Sequence, residues 1–102
     1  MLGPTQMRVA MLRVVLGIPG TTSLKDKRSA VARVRDRCRN QFGVSVAEVD
    51  LLDVRDRAVL GMALVSNDAR LLQSRMDQLL EFVEDLHVAQ ILDHKLVIQP
   101  FS

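Results

Sequence analysis

The sequence predicts a single α+β domain in which two helices cover one face of a four-stranded antiparallel sheet. Two stretches show the apolar period of a helix, and segments rich in Val and Leu without such a stripe surround them. The order is therefore strand, helix, strand, strand, helix, strand, and 102 residues suffice for one core but not for two. Short connections and right-handed crossovers favour the split βαβ, or ferredoxin-like, sandwich over residues 1–102.

The first strand is predicted over Met7–Leu16, because this segment is rich in aliphatic and β-branched residues. Alternation gives it two largely apolar faces, so the strand is either central and covered on both sides or covered on its second side by another subunit. We therefore expect a homo-oligomer that associates through the outer sheet face. One face holds Ala10, Leu12, Val14 and Leu16, and the other holds Val9, Met11, Arg13 and Val15.

The first helix is predicted over Ser23–Phe42, with Ser23 as the N-cap and Gly43 as the C-terminal stop. Asp26 completes only a weak capping box, because its side chain is shorter than the usual Glu or Gln. The apolar stripe of this helix consists of Leu24, Val31, Val34, Cys38 and Phe42.

The second strand is predicted over Val44–Leu52, with a bulge where the alternation slips at Ala47 and Glu48. A charged connector, residues 53–57, leads to the third strand, Ala58–Ser66. Gly61 in the middle of this strand implies close packing against a neighbour.

The second helix is predicted from Asp68 to about Leu86, with Asn67 or Ser66 as its cap. The fourth strand is predicted over Ala89–Ile98, and Pro100 ends it. One face of this strand is expected to hold Leu92, His94, Leu96 and Ile98, and the other Asp93 and Lys95.

The first helix carries half of the positive charge of the protein. Seven Lys and Arg residues against two Asp give it a net charge of +5, whereas the rest of the chain has a net charge of −3. The acidic second helix would lie beside it, and exposed ion pairs worth about 0–1 kcal/mol each would neutralise part of this charge. Because seven cations exceed the five anions available, one flank of the first helix must remain basic.

Eleven of the 14 cationic residues are Arg, whose planar guanidinium suits phosphate and carboxylate. A GC-rich genome or a warm habitat would enrich Arg equally well, so composition leaves both explanations open.

Lys27 lies on the apolar stripe of the first helix, and two interpretations of it are open. In the functional one, its ammonium forms an anion site with Lys25, Arg28 and the free N–H groups of the helix start. In the structural one, the side chain passes the helix end or pairs with a strand carboxylate such as Glu48 or Asp50. The structural interpretation is favoured, because a lysine at a helix end extends past it at little cost.

Four motifs give the chain a resemblance to a known family: SLKDKR after the IPG turn, VSVAEVD, RAVLGMALVSND and ILDHKLVI. In this order, over nearly the whole chain, they resemble the YlxP-like family, bacterial domains of unknown function. The resemblance implies a ferredoxin-like fold and a gene near translation and ribosome-maturation genes, among them that of ribosome-binding factor A. The family's recognisable residues fall on Ser23, Leu24, Lys25, Lys27, Arg28, Glu48, Arg57, Ser66, Asn67 and Asp68.

Nucleic-acid binding, if it occurs, must use the phosphate backbone. A ferredoxin-like RNA-recognition module stacks bases on aromatic residues of its central strands. This sequence has no Trp or Tyr, and Phe42, Phe82 and Phe101 all fall outside those strands. Contacts between basic side chains and phosphates remain. The predicted nucleic-acid or anion-binding residues are Lys25, Lys27, Arg28, Arg35, Arg39 and Arg57.

Three hypotheses about function follow. The first is a non-enzymatic domain that binds structured RNA or a ribosomal particle through the basic helix. The alternative is a protein-interaction or regulatory module that self-associates or docks a partner through the sheet face, with the basic helix only solvated. An enzyme acting on a phosphorylated small molecule at Lys27 is disfavoured, because no acid–base pair accompanies this lysine.

No catalytic residue, metal site or cofactor is predicted. His87 and His94 have no cysteine or third histidine at ligand spacing. No apolar run approaches the roughly 20 residues that cross a bilayer, so no membrane partner is expected. A single cysteine excludes an internal disulfide, and a cytoplasmic location is the expectation.

Overall fold

Six elements follow one another in the predicted order in a computed structural model, which describes residues 6–101. Neighbouring strands are all antiparallel, and their order across the sheet is β2-β3-β1-β4. This arrangement confirms the ferredoxin-like α+β sandwich. The elements are β1 (Arg8–Gly17), α1 (Leu24–Phe42), β2 (Ser45–Asp50), β3 (Arg57–Ser66), α2 (Ala69–Asp85) and β4 (Gln90–Pro100).

The core lies between the helices and one face of the sheet, as the alternation in β1 predicts. The four inward residues of β1 are at most 2% exposed, and they pack against the apolar stripes of both helices. The rings of Phe42 and Phe82 meet edge to face, 5.3 Å apart, and join α1 to α2. The buried residues of the helices include Val31, Val34, Cys38, Leu72, Met76, Leu79 and Val83.

Both ends of α1 are capped as predicted. The Ser23 hydroxyl accepts a hydrogen bond from the Asp26 N–H at 3.1 Å, and Gly43 adopts a left-handed conformation with φ of 67°. The Asp26 carboxylate accepts from Thr22, at 2.8 Å from its hydroxyl and 3.3 Å from its N–H. These hydrogen bonds from Thr22 lower the pKa of Asp26 below its ordinary value.

The predicted cap of the second helix is wrong, because Asp68 itself holds this position. Its Oδ1 accepts from the N–H groups of Arg70 and Leu71, at 2.9 and 3.2 Å, and its backbone is extended. One carboxylate thus satisfies two of the free N–H groups of the first turn. Ser66 accepts instead from the Asp68 N–H, at 3.2 Å.

The predicted faces of β4 are wrong at Leu92. The β1–β4 register shifts between Val15 and Leu16, so Ile91 rather than Leu92 lies opposite Leu16. A β-bulge of this kind adds one residue to a strand and reverses the alternation beyond it. Leu92 is therefore on the outer face, 51% exposed, beside Gly17.

The bulge in β2 is confirmed, although it lies slightly later than predicted. The β2–β3 register shifts between Glu48 and Asp50, which leaves Val49 without a partner in β3. Val49 turns over Gly61, where an added Cβ would lie 3.1 Å from its Cγ1. This contact is the close packing that Gly61 predicts.

Candidate functional site

Four cations of α1 lie on one flank of the helix, and we call them the basic strip: Lys25, Arg28, Arg35 and Arg39. Their spacing of three, seven and four residues keeps them on one side of a helix. Arg39 Nη2 donates to the Val46 carbonyl at 2.7 Å, so this side runs along the edge strand β2. From Arg28 to Arg39 the strip extends about 16 Å at the rise of an α-helix.

Two other cations of α1 lie on the opposite flank. Arg33 and Arg37 line a shallow depression together with Leu86 and Val88, at the end of α2. The positive charge of α1 is therefore divided between a side that faces α2 and the basic strip, which faces away from it.

The acidic second helix does not neutralise the basic strip. Within residues 6–101, two ion pairs come within 4.0 Å: Lys27 with Glu48, and Arg35 with Asp36 at 3.0 Å. Neither joins α1 to α2. The partner of Arg39 is a neutral carbonyl, so this guanidinium keeps its full charge. The ion pairs between helices that the sequence allows are therefore absent from this part of the chain.

Lys27 is separated from the basic strip by burial. Its side chain is 1% exposed, and its Nζ lies 2.8 Å from Glu48 Oε2, 2.6 Å from the Leu51 carbonyl and 3.4 Å from the Leu52 carbonyl. Leu51 has a positive φ of 57°, and its carbonyl makes the shortest of these contacts. This geometry agrees with the structural interpretation of Lys27, and Glu48 rather than Asp50 is the carboxylate it pairs with.

Arg57 does not join the basic strip either. In the β1–β3 register it lies opposite Gly17, on the sheet face that the helices leave uncovered. Lys25 and Arg28 remain exposed at the start of α1. Of the six predicted binding residues, the structure therefore brings four together on one surface.

The uncovered side of the sheet, which we call the outer face, holds a shallow apolar groove. Gly61 lies at its floor and Met11, Val49 and Ala63 line it. Two cations, Arg13 and Lys95, lie at its β1–β4 side. Neither residue is among the six predicted binding residues, although Arg13 is a cation on an otherwise apolar face of β1 and alternation places Lys95 on the same face of β4 as Asp93.

Other chemistry has little support in the described part of the chain. No three His, Cys, Asp or Glu side chains of residues 6–101 are grouped to hold a metal ion. Neither α1 nor α2 is both long and apolar enough for a transmembrane span. Cys38 is buried, and burial raises the pKa of its thiol to about 11, so this thiol is neutral at physiological pH.

Comparisons with known proteins agree with the fold and the resemblance. The chain is 32% identical to the uncharacterized protein YlxP of Bacillus subtilis (strain 168) over 62 residues, which are 61% of this chain and 67% of that protein. A de novo designed protein, Foldit4, shares the fold with a TM-score of 0.54 at 10% identity, over 94% of this chain and 99% of the design. The structural-genomics protein YJCS also shares the fold, with a TM-score of 0.51 at 8% identity. The match covers 92% of this chain and 99% of YJCS.

A family model described as a protein of unknown function, DUF503, matches residues 9–96. This match runs from the start of β1 to the middle of β4 and includes the basic strip and most of the outer face. The chain therefore belongs to the DUF503 family, the family of unknown function that its motifs resemble.

Proposed function

We propose that this protein is a non-enzymatic domain that binds structured RNA through the basic strip. The main observation behind this proposal is that few carboxylates neutralise the positive charge of the strip. Among residues 6–101, Asp36 is the one carboxylate within ion-pair distance of any strip residue. Uncompensated cations on a surface attract phosphates and release condensed counterions when they bind.

The side chains of the basic strip, not the free N–H groups at the N-terminus of α1, are the groups that support this function. Asp26 already places a carboxylate in the first turn, and hydrogen bonds from Thr22 lower its pKa below the ordinary value. A carboxylate there occupies the favourable end of the helix dipole and repels a phosphate. The strip, in contrast, presents Arg side chains whose planar forks match phosphate oxygens.

Recognition of this kind reads RNA backbone and shape. The outer face of the central strands carries no aromatic side chain on which a base could stack, since Phe42 and Phe82 are in the helix interface. Neighbouring ribosome-maturation genes, implied by the family resemblance, support a ribosomal particle as the source of the RNA. Such a role also places the protein in the cytoplasm.

The experiment compares two double variants of equal net charge. Arg28→Gln with Arg35→Gln removes two cations from the basic strip, and Arg33→Gln with Arg37→Gln removes two from the flank that faces α2. A fluorescently labelled RNA hairpin is titrated with each protein at low salt, and anisotropy reports binding. We expect the strip variant to lose roughly tenfold or more in affinity and the control to lose much less.

Equal losses in the two variants would show a general charge effect without a defined interface. Binding of the hairpin by the strip variant as tightly as by the wild type would overturn the proposal. Circular dichroism of each variant checks that the helices are intact, since all four substituted side chains are at least partly exposed.

A further inference from the structure

The outer face exposes more large apolar side chains than the rest of the described chain. Six of the eight large apolar residues that are strongly exposed lie on this face or at its end, and the other two are Leu52 and Leu71. Patches of this kind on small proteins mark interaction surfaces. The six residues are Met7, Met11, Val49, Val65, Leu92 and Phe101.

The charges on this face are arranged in adjacent rows of opposite sign. Arg13 and Lys95 lie directly opposite one another in the β1–β4 register, and neither has a carboxylate within 4.0 Å among residues 6–101. Like charges opposite each other destabilise a sheet. One row further along, Asp93 lies opposite Val15, and among the described residues its carboxylate accepts a hydrogen bond only from the His94 N–H, at 2.9 Å.

We propose that a second copy of this chain covers the outer face, in a two-fold dimer whose register is set by Lys95 and Asp93. The two-fold axis lies between the two sheets, perpendicular to the strands, at a level between residues 93 and 95. Rotation about it brings the row that contains Lys95 in one copy over the row that contains Asp93 in the other. Each Lys95 then faces Asp93 of the other copy, so the contact forms twice, as an isologous interface requires. The Asp93 carboxylate of the other copy also lies diagonally across from Arg13. It therefore offsets the repulsion between Arg13 and Lys95 within each copy.

The size of the face fits such a dimer. Strands about 4.8 Å apart and about 3.3 Å per residue give the four-stranded sheet an area of roughly 500 Å² per copy. The total of about 1,000 Å² is at the lower end of specific interfaces, so we expect a dimer that dissociates on dilution. Because the helices lie on the far side of each sheet, both basic strips remain exposed, and dimerisation is independent of RNA binding.

The test uses two single substitutions that are self-repulsive alone and complementary together. In Lys95→Asp and in Asp93→Lys, both facing pairs of the homodimer carry like charges. We expect each variant to weaken the dimer roughly tenfold to a hundredfold. An equimolar mixture of the two restores both pairs, so the mixture is expected to dimerise like the wild type. The measurement is sedimentation equilibrium against the monomer mass of 11.4 kDa.

Two controls make the result specific. Glu81→Lys changes the charge on the exposed face of α2 and is expected to leave the dimer intact. Asp93→Lys combined with Lys95→Asp in one chain exchanges the two charges and is expected to dimerise again. A monomeric wild type at high concentration would overturn the proposal. So would a mixture that stays as monomeric as its components, since all the substituted residues are exposed and each variant should fold.

Discussion

At the scale of single residues, Lys27 shows how a cation on an apolar stripe acquires a structural role. Its ammonium joins the start of α1 to the end of β2 through Glu48 and two backbone carbonyls. The left-handed conformation of Leu51 costs about 1–3 kcal/mol in a residue other than glycine. That cost is tolerated where the surroundings fix the backbone, and here the Leu51 carbonyl accepts from the Lys27 ammonium at 2.6 Å and from the Val54 N–H at 3.0 Å.

We predict that Lys27→Met destabilises the protein by about 3 kcal/mol, because the shielded Oε2 of the partly buried Glu48 carboxylate loses its charged partner. Chemical denaturation with urea measures the change. Lys25→Met, at an exposed position of the same turn, is the matched control and should change the free energy of unfolding by no more than about 0.5 kcal/mol.

Adding Glu48→Met to Lys27→Met should recover part of the loss, since an apolar pair replaces a buried ion pair at small cost. A double variant that is less stable than the sum of the two single changes would contradict the assigned pairing.

Cys38 gives a prediction of pH dependence. Burial raises the pKa of its thiol from about 9.0 to about 11, so the unfolded chain releases this proton at lower pH than the folded chain does. The contribution of Cys38 to stability is therefore complete below about pH 9 and is lost as the pH rises towards 11. We expect the stability difference between the wild type and Cys38→Ala to shrink by at most about 2 kcal/mol over this range. Urea unfolding at both ends of the range measures it, and a constant difference would refute the cause assigned to the shift.

At the scale of elements, the helix ends decide where α1 and α2 begin and end. Ser23 and Gly43 follow common capping rules, and both were predictable from residue type. The start of α2 offers three adjacent residues that can cap a helix, Ser66, Asn67 and Asp68. Residue type does not choose among them, because each has a side-chain oxygen that accepts from a free N–H group. The turn that follows β3 makes the choice.

We predict that Asp68→Ala destabilises the protein by about 1 kcal/mol, because two N–H groups of the first turn lose their acceptor. Asn67→Ala is the control and should have an effect within about 0.5 kcal/mol. Thermal or urea unfolding of both variants measures the difference. A larger effect of Asn67→Ala would restore Asn67 as the cap.

At the scale of the whole molecule, the sandwich separates two surfaces. The basic strip lies on the helical side beside β2, and the apolar outer face lies on the other side of the sheet. The proposed RNA contact and the proposed dimer therefore use different residues, and each can be removed without the other.

We predict that RNA binding weakens with salt with a log–log slope of about −3, as expected for roughly four neutralised phosphates. Arg28→Gln should reduce the magnitude of the slope by about 1, because it removes one phosphate contact. Titrations of an RNA hairpin at several salt concentrations measure the slopes. The dimer variant Asp93→Lys should retain every contact between the basic strip and the RNA. If Lys95→Asp changed the salt dependence of RNA binding, the RNA would contact the outer face instead.

The limits of prediction are clearest at Lys27 and Leu92. Helical periodicity places Lys27 on the buried stripe, but Glu48 and Asp50 were equally available partners in the sequence. The bulge at Val49 decides between them, since the register of β2 changes there. Leu92 follows the alternation of its own strand, yet the bulge opposite Val15 and Leu16 moves it to the outer face. The first outcome depends on pairing with the neighbouring strand β3, and the second on pairing with β1, at the other end of the chain.

The sequence alone determined the type and order of the elements, the limits of α1 and the buried face of β1. These features follow from periodicity and caps, which act between residues a few positions apart. Only the tertiary structure decided which flank of α1 runs along β2, and that Arg13 faces Lys95 on the outer face. Helix packing and strand register bring together residues that are distant in sequence, and no local pattern specifies which of them meet.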